Sequence, residues 1–184
     1  MAKASADGRK PKFTFLDITM TNEDKIFHSA GHSSALSLSD VVADIASYID
    51  EKPEHHYEII VGSDSPGYEE RAVSIITALT VRRVGNGGRY FYVRNAPKLF
   101  RQVRDRIYAE AMSSITLAQE IRGRLRESLG DDIFWLDQIH IDVGKNGLTR
   151  NFVDEVVGMI RGYDFTAVIK PNSFGASVVA DRHT

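Results

Sequence analysis

The sequence predicts an α/β protein in which a five-stranded mixed sheet is flanked by helices. Three observations support this prediction: three β-rich segments joined by turns in the middle of the chain, a long amphipathic helix after them, and alternating strands and helices up to the end. Three antiparallel strands followed by two crossover strands would form such a sheet, because strand–helix–strand connections bring parallel strands side by side. The length of 184 residues suits one domain with a modest extension.

The N-terminal part divides into a flexible tail and a helical extension. Residues 1–12 contain almost no apolar side chains and predict the tail, and residues 13–56 predict the extension. Within the extension, 28–37 is small, polar and typical of a loop, and Ser39 is a suitable N-cap for a helix. That helix is indicated by apolar residues at helical spacing, namely Val42, Ile45, Ala46 and Ile49. The predicted sheet domain then occupies residues 57–184.

Three strands are predicted in the centre of the chain. Residues 57–64 (YEIIVGSD) are β-rich and stop at a turn, and residues 73–84 (VSIITALTVRRV) are rich in β-branched side chains. The glycine-rich loop at 85–88 (GNGG) is a strong hairpin signal, and 89–94 (RYFYVR) supplies the returning strand. The same loop lacks the lysine and the strand-to-helix context of a phosphate-binding loop, so a hairpin turn is the preferred interpretation.

A long helix and alternating elements follow. From Pro97 onward, apolar residues recur every three or four positions and form one face: Leu99, Val103, Ile107, Ala111, Ile115, Ala118 and Ile121. Gly130 ends this helix. The remaining elements are a strand over 134–143, a helix over 149–161, a strand over 165–170 and a small last helix over 173–183.

Composition excludes several classes of protein. The apolar share of 42% and the charged share of 26% are those of a globular protein, and they exclude global disorder and collagen-like repeats. Without cysteine there are no disulfides, thiolate zinc sites or cysteine nucleophiles. No segment has the roughly 18 consecutive apolar residues that span a bilayer, and the start, MAKASADGRKPK, lacks the apolar core of a secretory signal. We therefore expect a cytoplasmic protein with no membrane partner.

Acidic residues follow two strands that are expected to be neighbours. Asp64 ends the first strand of the sheet, and Asp142 lies near the end of the fourth. Active sites of open α/β sheets gather beyond the carboxyl ends of the strands, so these two carboxylates would lie side by side. Asp181, from the last helix, and Glu110, from the long helix, could complete a group of four.

Crowded carboxylates repel one another unless a cation lies among them. Oxygen ligands without cysteine suit Mg²⁺ or Mn²⁺. Two such ions about 4 Å apart can activate water and stabilise the leaving oxygen in phosphodiester hydrolysis. The acidic group therefore predicts a metal site with two ions and hydrolytic chemistry.

Each acid also has a purely structural interpretation. Asp64, in GSDSPG, has the sequence context of an ordinary turn or cap aspartate. Asp181 would equally well pair with Arg122 or its own neighbour at the surface. Glu120 competes with Glu110, since it lies about 80° around the same helix. Asp142 is harder to explain structurally, because it interrupts an apolar strand and needs a partner or a cation.

A basic strip interrupts the slightly acidic chain. The chain has 23 basic and 25 acidic residues, yet the segment 82–106 holds eight basic residues and a single acid. Aromatic residues interleave with the strip at 90–92, and such a pattern suits phosphates and bases of RNA, DNA or a hybrid. The alternative is a solvated hairpin and helix face. The six residues assigned to nucleic-acid contact are Arg82, Arg83, Arg89, Arg94, Lys98 and Arg101.

The histidines add little to the metal prediction. His28 and His32 have the spacing of a metal pair on a helix, but the segment around them is loop-like and no third ligand is evident. His140 shares a strand face with Asp142, because side chains alternate along a strand. His140 would either tune the site or be a satisfied core group.

Several motifs together resemble one family. The segments VGSDS, GNGGRYFYVR, IHIDVG, EVVGMIRGY, VIKPNSFGAS and ADRHT resemble the bacterial ribonuclease H-like family of YkuK type, a set of predicted RNase H-related nucleases. The similarity extends from about residue 58 to 184 and implies the RNase H fold, with the order β-β-β-α-β-α-β-α.

The resemblance also implies roles for individual residues. It matches Asp64 to the catalytic acid of the first strand, Asp142 to that of the fourth strand and Asp181 to that of the C-terminal helix. Glu110 would correspond to the helix-borne acid. Asn172 stands where relatives often have an acid, and a neutral amide there would weaken a second metal site.

The sequence thus predicts a nuclease that uses two Mg²⁺ or Mn²⁺ ions to hydrolyse phosphodiester bonds. Lys145 or Lys170 would steady the charge that develops on the phosphate. The alternative is a non-catalytic nucleic-acid-binding or scaffold protein that keeps the RNase H-like fold.

Overall fold

The computed structural model describes residues 25–67, 71–143 and 152–173. The elements are β1 (Phe27–Ser29), β2 (His32–Leu36), α1 (Leu38–Asp50), β3 (Tyr57–Asp64), β4 (Ile76–Arg83), β5 (Gly88–Arg94), α2 (Val103–Leu129), β6 (Trp135–His140), α3 (Val153–Gly162) and β7 (Thr166–Val168). The predicted tail over 1–12 and nearly all of the last predicted helix lie outside these ranges. Within them, no helix is both long and apolar enough to cross a membrane.

The described strands form one mixed sheet in the order β2-β1-β5-β4-β3-β6-β7. The pairs from β2 to β3 are antiparallel, and β6 and β7 join parallel to β3. The predicted α/β class and the antiparallel-then-crossover arrangement are confirmed. The predicted number of strands is wrong, because the sheet has seven described strands instead of five.

The two additional strands are β1 and β2, which come from the segment predicted to be a loop. They form a hairpin, and β1 pairs antiparallel with β5. Phe27 is fully buried and its Cα partner is Val93, so one aromatic side chain anchors the hairpin. The remaining hairpin residues are mostly exposed at the sheet edge, and their polarity therefore resembles that of a loop.

Helix α1 begins earlier than the sequence pattern predicts, and helix α2 begins later. Ser37 caps α1, and its side chain and that of Asp40 form a reciprocal capping box, whereas Ser39 was the predicted cap. Helix α2 begins at Val103, six residues after the predicted opening at Pro97. Gly130, with φ of 77°, ends α2 as predicted because it adopts the left-handed region without a Cβ clash.

The main core lies between the helices and one face of the sheet. Alternate residues of the central strands point to this face, among them Tyr57, Ile59 and Val61 of β3. Trp135 opens β6 on the same face, where its indole N–H donates to Asp137 at 2.8 Å. The guanidinium of Arg126 lies 4.4 Å from the centre of the indole ring.

Arg83 belongs to this core, although it was predicted to contact nucleic acid. Its side chain is 6% exposed, and its guanidinium lies 4.2 Å from the centre of the Tyr48 ring. Nε donates to the Tyr57 hydroxyl at 2.9 Å, and Nη2 donates to the Tyr48 carbonyl at 2.7 Å and to Glu51 at 3.3 Å. Strand alternation turns Arg83 inward and its neighbour Arg82 outward, so the burial of Arg83 argues against a role in nucleic-acid contact.

We expect Arg83→Met to lower the melting temperature by at least about 5 °C, because it leaves a buried tyrosine hydroxyl and a carbonyl without their donor. Arg82→Met is the matched control: the Arg82 side chain is 42% exposed and makes one ion pair, with Glu58 at 3.5 Å. Calorimetry should show little change for this control. Equal melting temperatures for the two variants would contradict the structural role of Arg83.

Candidate active site

Two predicted acids lie at the carboxyl ends of neighbouring parallel strands. Strands β3 and β6 pair from Tyr57↔Trp135 to Gly62↔His140. Asp64 ends β3 and Asp142 follows β6, each two residues beyond the last pair. Continued strand alternation would put both carboxylates on the same face of the sheet, and both lie close enough to Glu110 to affect its pKa. Both are half-buried.

Glu110 reaches the same edge from helix α2. Its Oε1 accepts a hydrogen bond of 2.6 Å from the Ser65 hydroxyl, one residue after the end of β3. Arg106, one turn earlier in α2, donates from Nη1 to the Ser65 carbonyl at 3.1 Å. The hydroxyl and the carbonyl of Ser65 therefore both bond to side chains of the helix, and Glu110 is held beside the end of β3.

A chain of buried hydroxyl groups connects the end of β3 with β4 and α2. Ser63 Oγ lies 2.9 Å from Thr77 Oγ1 of β4 and 2.8 Å from Ser114 Oγ of α2. Ser114 in turn donates to the Glu110 carbonyl at 3.1 Å. The four groups satisfy one another in a buried position, so they fix the helix against the two strands.

The three carboxylates interact electrostatically. Burial, and to a lesser extent the negative charges of Asp64 and Asp142, raises the pKa of Glu110 from 4.5 to about 7. The Ser65 hydrogen bond and the charge of Arg106 oppose this shift but do not cancel it. We call Asp64, Glu110 and Asp142 the acidic cluster. A carboxyl with this pKa is only partly ionised at neutral pH unless a cation is nearby.

Lys170 lies against the acidic cluster. Its Nζ is 2.7 Å from Asp142 Oδ1, and its backbone N–H donates to the Val143 carbonyl at 3.0 Å. Asp142 Oδ1 is buried, and the contact with the ammonium lacks the geometry of a hydrogen bond. The contact is therefore an ion pair at an oxygen that still has hydrogen-bonding or metal-binding capacity. The other predicted site residues, Lys145 and Asp181, lie outside the described residues.

The acidic cluster suits a hard divalent cation in its donor type, since it offers carboxylate oxygens, one of them buried without a hydrogen bond. Within the ranges 25–67, 71–143 and 152–173, however, no group of three or more His, Asp or Glu side chains is close enough to hold a metal ion. The competing acid Glu120 instead pairs with Arg124 at 2.8 Å. Glu110 is therefore the helix acid that approaches the strand ends.

The histidines take structural positions. His140 is buried and shares the face of Asp142, and burial lowers the pKa of His140 to about 4, which keeps its ring neutral. His28 stacks on Tyr92 with the ring centres 5.3 Å apart. His32, on the other strand of the hairpin, lies 3.0 Å from Asp44. The two hairpin histidines thus have different partners and do not act as a metal pair.

The basic strip is spread over different environments. Arg82 pairs with Glu58, and Arg89 pairs with Asp44 at 3.6 Å and lies over the Tyr48 ring. Among the described residues, no acidic partner is found for Lys98 or Arg101, and both are exposed.

Arg94 connects the strip to the acidic cluster. It is paired across the sheet with Ile76, which is paired with Asp64. Two strand spacings of about 4.8 Å therefore separate the backbones of Arg94 and Asp64. Arg94, Lys98 and Arg101 lie at or beyond the end of β5 that faces the acidic cluster.

The residues that hold the acids were not predicted. Ser65 is visible in the sequence as a hydroxyl beside Asp64, and Ser114 interrupts the apolar face of α2 one turn after Glu110. Both features indicate buried polar partners, but their pairing depends on how α2 crosses the sheet. The ion pair of Lys170 with Asp142 depends in the same way on the β6–β7 register.

Comparison with known proteins agrees with this architecture. A family model described as Ribonuclease H-like matches residues 40–184. A relative from Bacillus subtilis (strain 168), the "Uncharacterized protein YkuK", is 28% identical over 159 residues, which cover 81% of this chain and 91% of the relative. No solved structure matches the chain. Because the family model covers most of the chain, including β3, α2 and β6 with the acidic cluster, the protein belongs to the Ribonuclease H-like family as a member of YkuK type.

Proposed function

We propose that this protein is a metal-dependent nuclease that hydrolyses phosphodiester bonds in RNA, DNA or a hybrid. The observation that carries the proposal is the approach of three carboxylates from β3, β6 and α2 to one edge of the sheet, where burial, and to a lesser extent the charges of Asp64 and Asp142, raises the pKa of Glu110 to about 7. Carboxyl groups whose pKa is shifted by burial and by neighbouring charges are concentrated at functional sites of proteins. Membership of the Ribonuclease H-like family supports a nucleic-acid-related function.

Asp64, Glu110 and Asp142 would hold Mg²⁺ or Mn²⁺, with Asp181 as the fourth ligand. Two bound ions would supply an activated water and stabilise the leaving oxygen. The protein contributes the positions of its ligands: the Ser65 hydroxyl and Arg106 hold Glu110, and the β3–β6 register brings the aspartates to the same end of the sheet. Such hydrogen-bonding partners would orient the ligands, as the surroundings of metal ligands do in other proteins.

The exposed cations Arg94, Lys98 and Arg101 would bind phosphates of the substrate. They lie at or beyond the end of β5 that faces Asp64, so a strand held on them can reach the acidic cluster. Neutralising phosphates releases condensed counterions and gives affinity without sequence preference. Lys170 would steady the phosphate that reacts, because its ammonium already lies at Asp142.

A second candidate function is nucleic-acid binding without catalysis. Two observations favour it: an ammonium already neutralises Asp142, and Asn172, two residues after Lys170, carries no charge. Calorimetric titration with Mn²⁺ distinguishes the two candidates. Absent binding together with intact polynucleotide binding would favour the non-catalytic candidate.

We expect Asp142→Asn to lower the rate of cleavage of labelled RNA, DNA or hybrid oligonucleotides in Mn²⁺ by more than about 100-fold. Loss of a residue that hydrogen-bonds to a metal ligand typically lowers metal affinity or activity by roughly 10- to 100-fold, and loss of the ligand itself should have a larger effect. Asp132→Asn, an exposed position before β6, is the matched control and should cleave like the wild type. A chelator should stop cleavage by the wild type. Full activity of Asp142→Asn, or activity that resists the chelator, would contradict the proposal.

Glu110 predicts an unusual pH dependence of stability in the metal-free protein. Its pKa of about 7 in the folded protein lies above the ordinary glutamate value of 4.5, so the folded state binds the proton more tightly than the unfolded state. Stability should therefore fall as pH rises from 4.5 to 7, by an amount on the order of 2 kcal/mol. Glu110→Gln mimics the protonated form, and its urea denaturation midpoint should change less over this window.

The comparison of wild type and Glu110→Gln cancels the titration of all groups that the two proteins share. Adding Mn²⁺ at pH 8 should stabilise the wild type more than the variant, because ionised Glu110 then has a partner. Parallel pH profiles for the two proteins would show that Glu110 is not buried as described.

We expect the double variant Lys98→Gln/Arg101→Gln to weaken polynucleotide binding about tenfold at low salt, and to reduce the slope of log affinity against log salt by about 2. The control Lys52→Gln/Arg161→Gln removes the same charge from other parts of the surface. Fluorescence anisotropy over a salt series measures both quantities. Equal slopes for the two double variants would contradict the assigned contact surface.

A further inference from the structure

The ion pair between Lys170 and Asp142 has two features that ordinary surface pairs lack. The acceptor oxygen, Asp142 Oδ1, is buried and has no hydrogen bond, although the ammonium is 2.7 Å away. The backbones of the two residues are also tied together, since Lys170 N–H donates to the carbonyl of Val143, the residue after Asp142. The backbone hydrogen bond thus holds the ammonium of Lys170 close to one oxygen of the acidic cluster.

The position of the ammonium conflicts with a divalent ion at the same oxygen. Mg²⁺ binds carboxylate oxygens at about 2.0–2.1 Å, and a second cation 2.7 Å from that oxygen would be repelled at short range. The side chain of Lys170 is 55% exposed, and its stem has four flexible carbons, so the ammonium has room to leave. Partly exposed ion pairs are weak enough for a divalent ion to displace.

We propose that Lys170 is an internal counter-cation that sets the divalent-metal affinity of the acidic cluster, neutralising Asp142 in the metal-free protein and leaving when a metal ion binds. The inference rests on the proposed function, because it assumes that Asp142 is a metal ligand. It adds that metal affinity is lower than the carboxylates alone would give. It also makes the released ammonium available to a substrate phosphate only after the metal has bound.

The direction of the effect makes the proposal testable with Mn²⁺ alone. We expect Lys170→Gln to bind Mn²⁺ at least about fivefold more tightly than the wild type in calorimetric titration, since the competing cation is gone. Lys170→Arg keeps a cation and should stay close to the wild type. Lys52→Gln removes one charge near the opposite end of β3, where the Lys52 carbonyl accepts from the Tyr57 hydroxyl, and should change affinity by less than about twofold.

Unchanged or weaker Mn²⁺ binding by Lys170→Gln would overturn the inference while the metal-dependent function stands. If neither the wild type nor Lys170→Gln binds Mn²⁺, both the inference and the proposed function fail. The two failures are therefore distinguishable by the behaviour of the wild type.

A measurement on the wild type covers the case in which Lys170→Gln does not fold. Lysine side chains labelled with ¹³C at Cε give one resonance each, and that of Lys170 should shift as Mg²⁺ is added, with a midpoint equal to that of Mg²⁺-induced thermal stabilisation. The resonance of Lys52 serves as the internal control and should stay in place. A Lys170 resonance that ignores saturating Mg²⁺ would overturn the inference.

Discussion

The parallel pairing of β3 with β6 is the constraint on which the candidate site depends. Six consecutive residue pairs fix this register, and it brings Asp64 and Asp142, each two residues beyond the last pair, to the same end of the sheet. A slip by one residue would turn Asp142 toward the helices and His140 with it. The apolar residues of the same strands, such as Ile59 and Ile139, hold the register because each must face a covered surface. The packing of the core therefore also determines the relative positions of the two acids.

The other residues of the site offset part of the repulsion between the carboxylates that this register brings together. Helix α2 brings a third carboxylate to the same edge, and the fold accommodates it with hydroxyls and Arg106 in place of a full set of ion pairs. Glu110 therefore keeps a pKa well above that of an ordinary glutamate. Such an arrangement lowers stability locally, and functional sites commonly carry this cost. The buried junction of Arg83 with two tyrosines lies at the far end of β3 and β4, where it stabilises the sheet without touching the acids.

Sequence reasoning predicted the long elements and the placement of the acids better than it predicted pairings. The hairpin at 85–88 and the strands beside it have strong local signals, and the prediction that Asp64 and Asp142 lie on neighbouring strands follows from strand order. The β1–β2 hairpin escaped prediction because Phe27 is its one deeply buried anchor and its short strands are otherwise polar. The prediction that Arg83 contacts nucleic acid is contradicted by its burial, because a run of basic residues does not reveal which of its members point into the core. The partner of Lys170 was invisible because it depends on how β7 docks beside β6.

Trp135 has a practical consequence for studying this protein. It is the sole tryptophan of the sequence, it is 3% exposed, and it opens β6 at the end of the strand opposite to Asp142. Seven residues of extended chain separate the two, which corresponds to about 23 Å. Its emission is therefore a built-in optical probe of sheet integrity, well beyond contact range of a metal ion bound at the acids. A spectral change on adding a ligand would report a rearrangement transmitted along β6.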